Sequence, residues 1–135
     1  MSKLMSTNYT TGSFNLATLL LRLACGGLII PHGYQKLVHF STYKTQFMNL
    51  FGIGQGTTLG LAIFAELICG CLLLIGLLTR FAAIPLVITM GIALFMAHHG
   101  DVFDTGEKAA LFLAGFLAIL IVGPGKISVD GMAGK

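Results

Sequence analysis

The chain has 135 residues, 56% of them apolar and 10% charged, with eight basic and five acidic side chains and a formal net charge of +3. So few charges exclude an ordinary water-facing surface, for which about a quarter of the residues would be charged. The basic residues stand singly, which excludes the patch or stripe of a nucleic-acid-binding domain. What remains is one domain whose solvent, and first partner, is the lipid bilayer.

In chain order, a polar segment over residues 1–13 leads into LATLLLRLACGGLIIPHGYQKLVHF at 16–40, with Ser13 or Thr11 as the predicted N-cap. The first span is predicted at 14–31. Although Lys3 precedes it as in a secretory signal, Arg22 interrupts the apolar run and no small-residue cleavage site closes it, so a retained span is expected. If the helix resumes beyond Pro31, then His32, Lys36 and His39 recur at i, i+4 and i+7 and share a face. Residues 41–56 are different in character. Tyr43, Phe47, Leu50 and Phe51 alternate with Lys44, Gln46 and Asn49 as in a short amphipathic helix lying at the interface, or as in an ordinary connecting loop.

Three further spans are predicted at 57–78, 81–98 and 107–122. Thr79-Arg80 between the second and third is a very short connection, which makes them antiparallel neighbours. Thr105 is the expected N-cap of the last span, with Glu107 in its first turn, and Gly123-Pro124-Gly125 stops it. The fold expected is all-α, a single integral membrane domain over 1–135. It is an antiparallel four-helix bundle with a short interfacial helix between the first two spans. Lys3, Arg80, Lys126 and Lys135 then lie on the side of both termini, against Lys36, Lys44 and Lys108 on the other, and the positive-inside rule leans towards cytoplasmic termini in an inner (plasma) membrane.

Ionisable groups inside a span are expensive and need a partner or a task. Arg22 lies eight residues from the start of its predicted span and Glu66 twelve from the corresponding end of the second. These depths of about 12 and 18 Å suggest a buried Arg22–Glu66 pair. Such a pair either fixes helix packing or forms an ionic site for a quinone head group, a lipid head group or a proton. At the opposite mouth His32, Lys36, His98, His99 and Glu107 converge as candidates for proton exchange or contact with an anionic ligand. Adjacent His98 and His99 cannot both face one site, so no metal centre is expected. The histidines cluster near one surface and Cys69-Gly70-Cys71 is not an iron–sulfur spacing, so no haem or cluster is expected either. Cys25, Cys69 and Cys71 suggest neither a disulfide framework nor zinc.

The strings LLLRLACG at 19–26, HGYQKL at 32–37, AELICGCLLLIGLLTR at 65–80 and GEKAALFLAGFLAILIVGPGKISVD at 106–130 together resemble the DoxX family of small membrane proteins. The resemblance implies an antiparallel four-helix membrane bundle of bacteria and archaea. It also implies association with membrane redox systems, among them a thiosulfate:quinone oxidoreductase, quinol oxidase preparations and a thiol-redox complex. It singles out Arg22, His32, Lys36, Glu66, Arg80 and Glu107. The expectation is of a chain without an added soluble domain, so that electrons come from a redox partner protein. Two readings follow: a quinone- or thiol-linked redox subunit, or a non-enzymatic scaffold, chaperone or small-molecule binding protein. Self-association is open in either, and a transporter is disfavoured because no inverted repeat is visible.

Overall fold

In the computed structural model, which describes residues 2–97, 99–101 and 103–134, the described residues contain helices and turns but no strand. After a single turn at Ser2–Met5, the first long helix, α1, covers Thr11–Val38. Its cap is Thr10, neither of the two expected residues Thr11 and Ser13, and its side chain accepts a hydrogen bond from the Ser13 N–H at 3.0 Å. The helix passes through Pro31 and ends at Val38, seven residues beyond the predicted span. Its 28 residues cover about 42 Å, against a hydrocarbon thickness of about 30 Å, so an end of α1 must project from the apolar layer.

Of the short amphipathic helix or connecting loop expected within 41–56, the structure forms one short helix followed by turns. A helix α2 at Phe40–Gln46 buries no residue, and Phe47 leaves it in an extended conformation. A turn at Leu50–Gly52 follows, with Phe51 at φ 50°. Local turn chemistry outcompetes the helical period here: the Asn49 side chain accepts the Gly54 N–H at 2.7 Å, and the Gln55 amide donates to the Phe47 carbonyl at 2.7 Å.

Helix α3 runs over Gln55–Ile75, with a π-helical segment at Phe64–Cys69 in its middle. It ends at Gly76, which adopts φ 76° and donates its N–H to the Leu72 and Leu73 carbonyls. The predicted end at 78 overran this glycine. As a result Thr79-Arg80, expected as the connection, is the first turn of α4, which covers Thr79–Ile92 and continues as a π-helical turn at Ala93–Ala97. Helix α5 is Glu107–Val122, as predicted, although Gly106 stands at its cap and Thr105 does not make the bond expected of it. A final turn, α6 at Val129–Met132, is capped by Ser128.

Helix α1 packs along α3, and α4 along α5. Gly26 lies against the Gly70 carbonyl and Leu74, and Gly33 against Glu66 and Leu67. Small residues at these points let the two backbones meet. Ile29, Leu73, Leu86, Phe116 and Ile119 fill the core. The outward faces are apolar as well: Leu20, Leu23 and Leu28 on α1, Phe64 and Ile68 on α3, Phe81 and Ile88 on α4, and Leu111 and Ile121 on α5 are all exposed. Arg22, Glu66 and Thr79 are instead buried. Apolar surface outside and ionisable groups inside is the reverse of a water-soluble protein. Three of the helices, at Thr11–Val38, Gln55–Ile75 and Thr79–Met96, are long and apolar enough to cross a bilayer.

The glycine contacts make a direct prediction. A methyl group added at Gly33 would stand 2.8 Å from the Leu67 backbone nitrogen, which cannot yield as a side chain can, whereas Gly60 faces open space. Gly33→Ala is expected to cost about 1–3 kcal/mol and Gly60→Ala close to nothing, measured by thermal unfolding in mild detergent.

Candidate functional site

The sequence suggested one buried ion pair, Arg22–Glu66, and the structure separates the two residues. Glu66 is level with Gly33, eleven residues or about 16 Å along α1 from Arg22. The depth comparison assumed that the helix ends lie flush. They do not. The C-terminal turn of α3 meets α1 near Arg22 and Gly26, and the first turns of α1 extend past it, covered by the chain beyond α5: Gly125 packs on Thr18, and the Lys126 N–H donates to the Asn15 side chain at 3.1 Å.

Among the described residues, the hydrogen-bond partners of Arg22, 1% exposed, are backbone carbonyls. Its Nε donates to Pro124 at 3.0 Å, one terminal nitrogen donates to Leu73 and Leu74 at 3.3 and 3.2 Å, and the other donates to Ile127. Leu73 and Leu74 are among the last residues of α3, whose carbonyls carry the negative end of its dipole; the Leu73 carbonyl also accepts the Gly76 N–H. The neighbouring anion is Asp130, which interacts with Arg22 electrostatically. Its carboxylate accepts from the Leu78 N–H at 3.0 Å and from the Thr79 N–H and hydroxyl, each at 2.9 Å. Asp130 thus caps α4 from outside the helix. Sequence reasoning missed it, because a cap supplied by a residue fifty positions away leaves no local signature.

Glu66 pairs instead with Lys36, whose Nζ lies 2.7 and 2.8 Å from the two carboxylate oxygens. Side chains on a helix lean towards its N-terminus, which carries the Lys36 ammonium back towards the level of Gly33 and Glu66. The carboxylate is 2% exposed and the lysine side chain 21%, so the pair reaches from the interior to the mouth of the bundle.

This pair lines a cleft of about 290 Å³. His32, Thr105 and Lys108 contribute its other polar groups; Ile29, Met90, Ala93 and Phe112 contribute apolar wall. The His32 ring stands edge-on to Phe112, with centroids 5.9 Å apart and an interplanar angle of 85°. Glu66 lies in the π-helical segment of α3, and Ala93 begins the π-helical turn of α4. Such widened turns occur frequently at functional sites. Of the residues expected at this mouth, His32 and Lys36 come together, joined by Glu66, which was expected beside Arg22. Glu107 and His99 are exposed and line no part of the cleft, His99 because the chain turns there at φ 55°, and His98 lies outside the described residues. His39 caps α1 and its ring contacts the Gln35 carbonyl instead. Lys108 replaces Glu107 for a geometric reason: together with Phe112, at i+4, it shares the face of α5 that turns towards α1. A larger groove, of about 460 Å³, lies at the opposite end beside Arg80 and Lys126, and the Asp130 carboxylate that borders it is committed to capping α4.

A sequence profile of the DoxX family matches residues 17–99, more than half of the chain. Three curated proteins are similar. The inner membrane protein YqjF of Escherichia coli is 30% identical over 129 residues, covering 90% of this chain and 95% of its own length. An uncharacterized membrane protein of Mycobacterium tuberculosis is 29% identical over 130 residues, 85% of this chain and 80% of its own. An uncharacterized protein of Haemophilus influenzae is 40% identical over 78 residues, 55% of this chain and 52% of its own. No solved structure matches.

The two polar sites differ in what their loss should do. Arg22→Met strands several buried carbonyls at about 1–3 kcal/mol each, and should release the segment after Gly123 to proteolysis, read by mass spectrometry of the fragments. Glu66→Gln and Lys36→Met should each destabilise by about 1–3 kcal/mol, and the double variant by less than their sum, which a cycle of unfolding measurements resolves.

Proposed function

The chain belongs to the DoxX family, and on that premise we propose that it is the membrane subunit of a redox system, binding a quinone head group in the Lys36–Glu66 cleft. The fold it brings to the task is an antiparallel bundle of four spans. The register of Gly26 and Gly33 against α3 and the short connection at Gly76 support that arrangement, with α5 as the fourth span. Its place is the plasma membrane, in keeping with the name of the Escherichia coli relative, with both termini cytoplasmic by the bias of Lys3, Arg80 and Lys126.

The observation that carries the reading is the composition of the cleft. A quinone presents two carbonyl oxygens on a flat ring, and its reduction takes up two electrons and two protons. The cleft offers Lys36 and Lys108 as hydrogen-bond donors and His32 as a ring whose nitrogens can donate or accept. Phe112 gives it a flat apolar wall. Glu66 is the base that holds Lys36 in place and accepts its proton when the pair is neutralised. Protons therefore pass through side chains of this chain, while the electrons come from a redox partner protein. The second reading, a scaffold or small-molecule binding protein, draws on the Arg22 network, whose partners are all structural.

Titrating the purified protein in mild detergent with a benzoquinone or naphthoquinone separates the readings. Saturable binding is expected, weakened about tenfold in Glu66→Gln and in Lys36→Met, on the scale of losing one charge-assisted hydrogen bond. Retention of phospholipid alone, with no quinone bound at any concentration, would sink the redox reading in favour of the scaffold.

A further inference from the structure

The polar cleft does not end at His32. A second cleft, of about 370 Å³, shares His32, Lys108 and Phe112 with it and is otherwise lined by Ala24, Cys25, Leu28 and Leu111. The residues found only in the first cleft include Lys36, Glu66 and Thr105; those found only in the second are apolar or, in Cys25, a thiol. The boundary between them is the His32–Phe112 contact, and Phe112 is itself braced by Phe116 at 5.7 Å in a stacked arrangement.

Orientation sharpens the contrast. From His32 to Ala24 the second cleft descends eight residues of α1, about 12 Å, towards the middle of the bundle, while the first surrounds the ion pair near the mouth. A polar compartment near the membrane surface that continues as an apolar groove along the membrane normal has the shape of an amphiphile lying in a bilayer. Leu28 and Leu111, both exposed, open the groove sideways to lipid. A close approach of α1 and α5, where Cys25 packs on Gly115, closes its floor.

We infer that the groove between α1 and α5 holds the apolar tail of the ligand whose head enters the Lys36–Glu66 cleft, so that the ligand is a long-tailed quinone entering sideways from the bilayer. This rests on the quinone reading above and adds the tail site and the entry route. His32 is then a positioning residue at the junction of head and tail. A water-soluble ligand needs only the first cleft, and would leave the second to bulk lipid.

The test uses the full chain in nanodiscs and two quinones with the same ring, one carrying a ten-carbon tail and one carrying a methyl group, with affinities corrected for membrane partitioning. The tailed quinone is expected to bind more tightly. Ala24→Phe and Leu28→Trp, which fill the groove from exposed positions, should weaken the tailed quinone about tenfold and leave the short one unchanged. Leu20→Trp, on the same helix but outside the groove, should alter neither. Equal affinity for both quinones in the unaltered protein, or equal loss from Leu20→Trp and Leu28→Trp, would overturn the tail site while leaving the head-group reading intact. Failure of both quinones to bind would overturn the head-group reading and the tail site with it.

Discussion

The guanidinium of Arg22 is the point on which three separate parts of the chain depend. It projects from α1, takes two carbonyls at the end of α3, and takes two more from the segment that follows α5. A lysine could not do this, because a single ammonium lacks the planar fork that reaches acceptors on several sides. The carbonyls of a helix terminus need donors, and the buried cation needs acceptors; each removes the other's desolvation cost. Once Pro124 and Ile127 are fixed, Asp130 is delivered to the start of α4, where it supplies the cap that Leu78 and Thr79 require. Arg22 therefore governs the fourth element of the chain as well as the three it touches.

The other end of the bundle solves the same problem differently. Glu66 is as deeply buried as Arg22, yet its partner is a side chain rather than the backbone. The π-helical segment around Glu66 adds a residue to the turn and displaces the side chains beyond it from their regular face. A second widened turn, at Ala93–Ala97 on α4, borders the same cleft. Two helices that are regular at the Arg22 end become irregular where the cleft opens.

Much of this was legible in the sequence because it depends on composition and on local signals. Apolar runs announce the helices, and glycine with proline at 123–125 stops α5 where predicted. The resemblance to the DoxX family, carried by strings spread through the chain, is borne out by the profile match. Local signals failed where a competing local choice was stronger, as at Phe47, whose extended backbone ends α2 before Leu50 and Phe51 can join it, and at Gly76, which ended α3 early. The pairing of Arg22 with Glu66 failed for a non-local reason. Depth in a span is measured from its ends, and the offset between α1 and α3 is set by which glycines meet, a fact that no single helix contains. Asp130 and Lys108 were hidden in the same way, one because it caps a distant helix and the other because its role depends on the rotation of α5.

The contrast between the two buried charges bears on function as well as on folding. Backbone carbonyls do not take up protons and cannot leave, so the Arg22 site has one state and suits a fastener. Lys36 and Glu66 hold each other side chain to side chain, and loss of either charge loosens the other. Lys36 is also the partner that reaches the surface. An incoming hydrogen-bond acceptor can therefore compete with Glu66 for the ammonium without first opening the core, at a cost set by the pair alone and not by the fold. A bundle with a fixed charge at one end and an exchangeable pair at the other can hold its architecture constant while the second site changes partners. That separation lets the pair at one end exchange partners while the fastener at the other end keeps the helices in register.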